Sequence, residues 1–318
     1  MASLIEVENL RKRFGSIVAV DDVSFSVAPG EVLGFLGPNG AGKSTTMRII
    51  AGSLAATSGS ARICGHDVRS DSLAARACLG YLPEGSPLYA DMTPEGLLDF
   101  VAGVRGMEAG QRRRRVAEVI DRLELAEVLH RPIDTLSKGF KRRLGLAQAL
   151  VHDPKVLILD EPTDGLDPNQ KQSVRRLIGE IAPDKAIIIS THLLEDVDSI
   201  CHRAIILAAG RVVGGGTPEE LRRVATNHNA VRVRVAVASV TRAVELVRGL
   251  PRIAGVVHGE EEGVSVLVAT PEGGAFIADE VAAILRGGSI DVRSLDVETG
   301  RLDDVFHRLT REAGRHVV

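Results

Sequence analysis

The chain has no tryptophan, two tyrosines and seven phenylalanines, so aromatics make up only 3% of its 318 residues. So few rings cannot build the stacking platforms that hold single-stranded nucleic acid. A net charge of −3 offers no cationic excess for a phosphate backbone either, and no nucleic-acid partner is expected. Three cysteines, Cys64, Cys78 and Cys201, are scattered and odd in number. That excludes a full disulfide framework and suits reduced thiols in a cytosolic compartment, packed as small core residues. No apolar run approaches the ~20 residues needed to cross a bilayer. Met1 to Leu4 lead straight into the alternating Ile5-Glu6-Val7-Glu8, not through a secretory leader. Any membrane role is therefore expected to come through a partner chain. Internal repeats and low-complexity tracts are missing too. Hydrophobic residues, at 44%, are enough for the cores of about two domains.

What the chain does have is the stretch Gly37-Pro38-Asn39-Gly40-Ala41-Gly42-Lys43-Ser44-Thr45. It fits the phosphate-loop pattern G-x-x-x-x-G-K-[ST] at every fixed position. The apolar Val32-Leu33-Gly34-Phe35-Leu36 before it reads as a buried strand, and Thr46 to Ala51 after it reads as a helix. A strand, a glycine turn and a helix N-terminus aim unpaired backbone N–H groups at one point, which attracts phosphate. Gly37, Gly40 and Gly42 are expected to let the backbone close where a Cβ would clash. Lys43 is placed to reach the β- and γ-phosphates and the Ser44 hydroxyl to bind Mg²⁺. A nucleoside triphosphate with Mg²⁺ is thus expected, although kinases, GTPases, motors and transporters all use this loop.

Around it, Ile5–Val7, Ile17–Val20 and Val23–Val27 read as strands, and Ala28-Pro29-Gly30 as a turn. The region from Thr93 to Leu150 has helical apolar spacing. The basic run Arg112–Arg115 opens a helix there and reads as a solvated face. Val156–Asp160, Ala186–Ser190 and Ala204–Leu207 are continuous apolar strands separated by helices, which argues for a parallel sheet covered on both faces. The pattern changes at Gly214-Gly215-Gly216-Thr217-Pro218. After a short helix the order is strand, helix, strand, strand, helix, strand, helix, with Gly259–Gly263 turning the central hairpin. That order suits a small ferredoxin-like α+β domain with a trailing helix.

Asp160-Glu161 ends a buried strand, so both carboxylates emerge at the edge where open α/β sheets bind ligands. Asp160 suits Mg²⁺, and Glu161 suits polarising an attacking water as general base. Leu136-Ser137-Lys138-Gly139-Phe140 then opens a helix with Ser137 as a good N-cap. This segment resembles the L-S-G-G-Q signature of ATP-binding-cassette proteins. Gly165-Leu166-Asp167-Pro168 is similar to that family's D-loop and Ser190-Thr191-His192 to its switch histidine. Phe14 stands where the family stacks an aromatic on adenine. The motifs keep the family's order over roughly the first two thirds of the chain.

The resemblance implies a P-loop NTPase cassette, an α/β fold with a RecA-like mixed sheet and a helical subdomain at about residues 86–150. This nucleotide-binding domain would span 1–224, and the accessory ferredoxin-like domain 225–318. It implies ATP hydrolysis by Glu161, His192 and Lys43. The ATP contacts it implies are Phe14, Gly37, Pro38, Asn39, Gly40, Ala41, Gly42, Lys43, Ser44, Thr45, Ser137, Gly139 and Asp167, and the Mg²⁺ contacts are Ser44, Asp160 and Glu84. Glu84, in Tyr81-Leu82-Pro83-Glu84, stands where the family carries glutamine; it adds a charge and loses a donor. Lys138 and Phe140 depart from the signature, while Ser137 and Gly139 remain. The YLPE and LSKGF variants, and the ending from Arg301 to Thr310, resemble the subgroup serving ABC-2-type exporters, including gliding-motility and copper-site-maturation ATPases. One phosphate loop and one signature per chain imply a head-to-tail dimer with a second copy or a paralogous cassette. They also imply an integral membrane permease partner and a place on the cytoplasmic face of the cell membrane. The alternative is a soluble cassette ATPase acting in assembly or repair. Sustained heptads and a second cassette, which mark repair and translation members, are not seen. For the accessory domain, stabilising the dimer is preferred over regulating it.

Overall fold

The computed structural model describes residues 2–85, 87–261 and 264–315. Two compact units divide the chain: residues up to Gly215 together with the segment from Leu309, and residues Gly216–Arg308. The second unit starts at the last glycine of the run, earlier than the expected boundary at 224, and the trailing segment groups with the first.

In the first unit the order is β1 (Ile5–Phe14), β2 (Ile17–Val27), β3 (Val32–Leu36), α1 (Lys43–Ile50), β4 (Ser58–Ile63), β5 (His66–Asp67), α2 (Ser72–Ala77), β6 (Leu79–Leu82), α3 (Pro94–Val104), α4 (Ala109–Arg122), α5 (Lys138–Leu150), β7 (Val156–Asp160), α6 (Pro168–Ile181), β8 (Ala186–Thr191), α7 (Leu194–Ile200), β9 (Arg203–Ala208) and β10 (Arg211–Gly216). A six-stranded sheet runs β10-β9-β3-β8-β7-β6, and a four-stranded one runs β2-β1-β4-β5. The pairs β3–β8, β3–β9, β7–β8 and β6–β7 are parallel. β3, β7 and β8 are buried along their whole length, as continuous apolar strands require when both faces are covered. Their C-terminal ends therefore share one edge, where the phosphate loop, Asp160 and Thr191 emerge.

Helix starts are written locally. Thr93-Pro94 and Asp167-Pro168 each place a capping oxygen on a backbone N–H and a proline in the first turn. The two strands expected over 17–27 are one. Asp21-Asp22 reads as a break, but Asp22 adopts φ +58° and the pairing with β1 shifts register instead of ending.

The second unit holds α8 (Pro218–Arg223), β11 (His228–Val235), α9 (Val240–Arg248), β12 (Ile253–Glu261), β13 (Val264–Pro271), α10 (Ala278–Gly287) and β14 (Val292–Thr299), with α11 (Leu302–Arg315) running on out of it. Its sheet order, β12-β13-β11-β14, is antiparallel throughout, which is the ferredoxin-like arrangement. Val231, Val233 and Val235 of β11 alternate inward against Val244 and Val247 of α9 and Val281 and Leu285 of α10. α10 starts at Ala278, not Ala275, because Gly273 and Gly274 take left-handed backbone ahead of it. Residues 262 and 263 of the expected hairpin turn lie outside the described residues.

Candidate functional site

The phosphate loop closes β3 onto α1. A Cβ at Gly37 would lie 2.6 Å from the Leu207 carbonyl oxygen, and one at Gly42, whose φ is +101°, would lie 2.5 Å from that of Ala19. Only glycine fits either place. Gly40 differs from expectation: no atom lies within 4 Å of its would-be Cβ, and its requirement is the left-handed φ of +80°. Pro38, Asn39 and Gly40 are exposed, Ala41 is buried, and Ser44 and Thr45 are half-buried in the first turn of α1. Thr46 Oγ1 donates to Gly42 O at 2.9 Å and ties the loop to the helix.

Lys43 is buried, and its Nζ donates to Gly37 O at 2.7 Å and Pro38 O at 3.3 Å. Burial lowers its pKa, while the nearby charges of Glu161, Asp160 and Glu84 pull it back up. None of its described hydrogen bonds goes to a carboxylate. A buried ammonium held only by neutral carbonyls, in a loop of outward N–H groups, suits the phosphates of a nucleotide.

Asp160 is the last residue of β7 and 1% exposed. Ser190 Oγ donates to its Oδ1, and its Oδ2 makes no described hydrogen bond. The next residue, Glu161, takes φ +52°, a strained backbone for a residue with a Cβ. Three groups hold it there. Its N–H donates to Ser190 O at 3.0 Å. The Arg142 guanidinium reaches from α5 to the carbonyls of Asp160 and Glu161, and to Pro83 O at 3.2 Å. His192 Nδ1 lies 2.9 Å from Glu161 Oε2. Burial raises the Glu161 pKa, and His192 and Lys43 oppose the rise.

Among the described residues no cluster of three His, Cys, Asp or Glu side chains could cage a metal alone. The hard oxygens of Ser44, Asp160 and the exposed Glu84 fit Mg²⁺ instead, an ion that keeps waters and takes substrate phosphates as ligands.

Lys43, Glu84, Asp160, Glu161 and His192 thus share one region. The signature residues do not join it by any described contact. Ser137 Oγ accepts from Phe140 N at 3.3 Å as the α5 N-cap. Gly139 faces Gln170 of α6, whose Oε1 would be 2.6 Å from a Cβ. Asp167 accepts from Gln170 N at 2.9 Å as the α6 N-cap. Phe14 is 48% exposed, with Lys12 Nζ 4.9 Å from its ring centre.

Sequence reasoning missed Arg142, because a cation between Lys141 and Arg143 carries no mark that it is buried. It also missed Asp196, an acidic residue in the first turn of α7 that is 0% exposed.

A family model described as "ABC transporter" matches residues 20–164. Nod factor export ATP-binding protein I of Paraburkholderia xenovorans (strain LB400) is 40% identical over 218 residues, covering 68% of this chain and 72% of that protein. A solved ATP binding subunit of an ABC transporter superposes with a TM-score of 0.65 at 32% identity, covering 70% of this chain and 92% of that one. A dimeric bacterial ABC transporter cassette superposes with a TM-score of 0.63 at 24% identity, covering 67% and 98%, and shares the fold.

Proposed function

Because the chain belongs to the ABC transporter family, as an ATPase subunit, we propose that it drives a separately encoded ABC-2-type exporter as a head-to-tail dimer. The dimer forms with a second copy or a paralogous cassette. One observation carries this reading. The described contacts of Ser137 and Gly139 stay within α5 and α6, so among the described residues no contact joins the signature to the phosphate loop. A second cassette supplies what each half lacks.

ATP phosphates seat on the N–H groups of residues 37–45, and the adenine stacks on Phe14. Lys43 leaves the Gly37 and Pro38 carbonyls for the β- and γ-oxygens. Ser44, Asp160 and Glu84 would hold Mg²⁺, which would supply positive charge against the phosphates. Glu161 takes the proton of the attacking water. His192 turns from Glu161 to the γ-phosphate, which releases the carboxylate at the moment the nucleotide is in place. Ser137 and Gly139 of the second copy close over the γ-phosphate, with Asp167 beside it.

No helix among the described residues is long and apolar enough to cross a membrane, which fits a subunit docked on a permease at the cytoplasmic face. Tyr89 and Phe100, exposed and edge to face at 6.0 Å, offer an apolar surface shortly after Glu84. The export relative's name supports the direction of transport.

Glu161→Gln, which binds but does not hydrolyse, is expected to trap the dimer with ATP·Mg²⁺ and to bring a multi-spanning protein out of solubilised membranes. A variant that stays monomeric at saturating ATP·Mg²⁺ rejects the dimer. Recovery of soluble proteins alone assigns the chain to assembly or repair.

A further inference from the structure

Asp196 joins the two segments that carry the proposed catalytic pair. Thr163 Oγ1 donates to Asp196 Oδ2 at 2.7 Å, and Thr191 Oγ1 donates to the same oxygen at 3.0 Å. Thr163 lies two residues after Glu161, and Thr191 immediately precedes His192. Both threonines and Asp196 are 0% exposed. Thr191 Oγ1 also accepts from Leu193 N at 2.9 Å, which shapes the turn presenting His192. Arg175 of α6 occupies the other oxygen, with Nε at 2.8 Å and Nη2 at 2.6 Å from Oδ1.

We propose that Asp196 is a positioning residue that sets the separation of Glu161 and His192 through one hydroxyl on each flank. The proposal rests on the assignment of those two residues to catalysis. A stabilising ion pair alone does not account for the arrangement. Burying Asp196 with Arg175 costs desolvation that an apolar pair of similar volume avoids. An ion pair also has no need of two threonines on a shared oxygen. As a clamp each part has a use: Arg175 fixes the carboxylate, and Oδ2 draws residue 163 and residue 191 to one point. His192 Nδ1 and Glu161 Oε2 then stand 2.9 Å apart from backbones held on both sides.

The test uses Thr163→Val and Thr191→Val, which keep shape and remove the hydroxyl, beside Thr163→Ser and Thr191→Ser, which restore it. Asp196→Asn is a harsher companion that leaves Arg175 without its counter-charge. Turnover, ATP affinity and thermal unfolding are measured on the full chain, and each Val change is repeated in a His192→Ala background. The Val variants are expected to lose about 10–100-fold in kcat, the scale of a group displaced by ~1 Å from the reacting atoms. ATP affinity is expected to stay within about twofold, and the Ser variants to recover most of the loss. Thr191→Val is expected to lose little further once His192 is gone, because it acts through that residue. Val variants that turn over normally per folded molecule overturn the proposal, as does a Thr191→Val loss that simply adds to that of His192→Ala. If His192→Ala itself turns over normally, the catalytic assignment beneath the proposal has failed instead.

Discussion

Glu161 concentrates the proposed chemistry of the site in one strained residue. As the general base we propose, its carboxyl must be ionised to accept a proton, and burial raises its pKa. Turnover should therefore fall on acidification at a higher pH than an ordinary carboxylate would give. His192 opposes that rise, so removing it should push the limb higher still. The kcat/KM of His192→Ala, which reports the nucleotide-free enzyme where the two side chains touch, is expected to show an acid limb shifted upward from the parent's. A limb that stays put would detach His192 from Glu161. Elsewhere burial pushes the Cys64 and Cys201 thiols up to about 12, and thiolate is the reactive form. At pH 8 the thiolate fraction is on the order of one in ten thousand. Iodoacetamide is expected to leave both unmodified in the native protein and to label them in urea; rapid native labelling of Cys201 would contradict its burial.

At the scale of elements, β6 depends on a residue without a side chain. A Cβ at Gly80 would lie 2.2 Å from the Ala149 carbonyl oxygen of α5 and 2.7 Å from Leu157 Cδ2. Backbone cannot yield as a side-chain tip does. Gly80→Ala is expected to cost about 3 kcal/mol or more, visible as a lower urea midpoint at unchanged slope. The sequence announces what fixed chemistry or short-range pattern demands. The phosphate loop, Asp160-Glu161 and the inward valines of β11 are of this kind, since each follows from local spacing. Gly80 reads only as a glycine in a strand, because the obstacle comes from another element. Arg142 and Asp196 were illegible for the same reason: what makes them special is the carbonyls and hydroxyls that folding brings to them. The joining of two expected strands into β2 turned on one Asp22 torsion that composition does not reveal.

For the molecule as a whole, the feature least visible in the sequence is the return of the trailing segment from Leu309 to the first unit. Its purchase there is local and physical: a Cβ at Gly214 of β10 would lie 2.7 Å from Leu309 Cδ1. Leu309→Ala is expected to cost about 1 kcal/mol, less than a fully buried leucine because the side chain is half-buried. Calorimetry should find the loss in the first unit's transition; a loss confined to the second would place Leu309 wrongly.

That return sets a clock on synthesis. β10 leaves the ribosome before Gly216–Arg308 has been made, and the segment that covers Gly214 leaves only afterwards. At about 5–20 residues per second the delay is on the order of ten seconds. During that interval a nascent cassette can hold every nucleotide-binding residue and still lack its last packing partner. A stalled chain ending before Leu309 should thus be more open to protease at β10 than the released one.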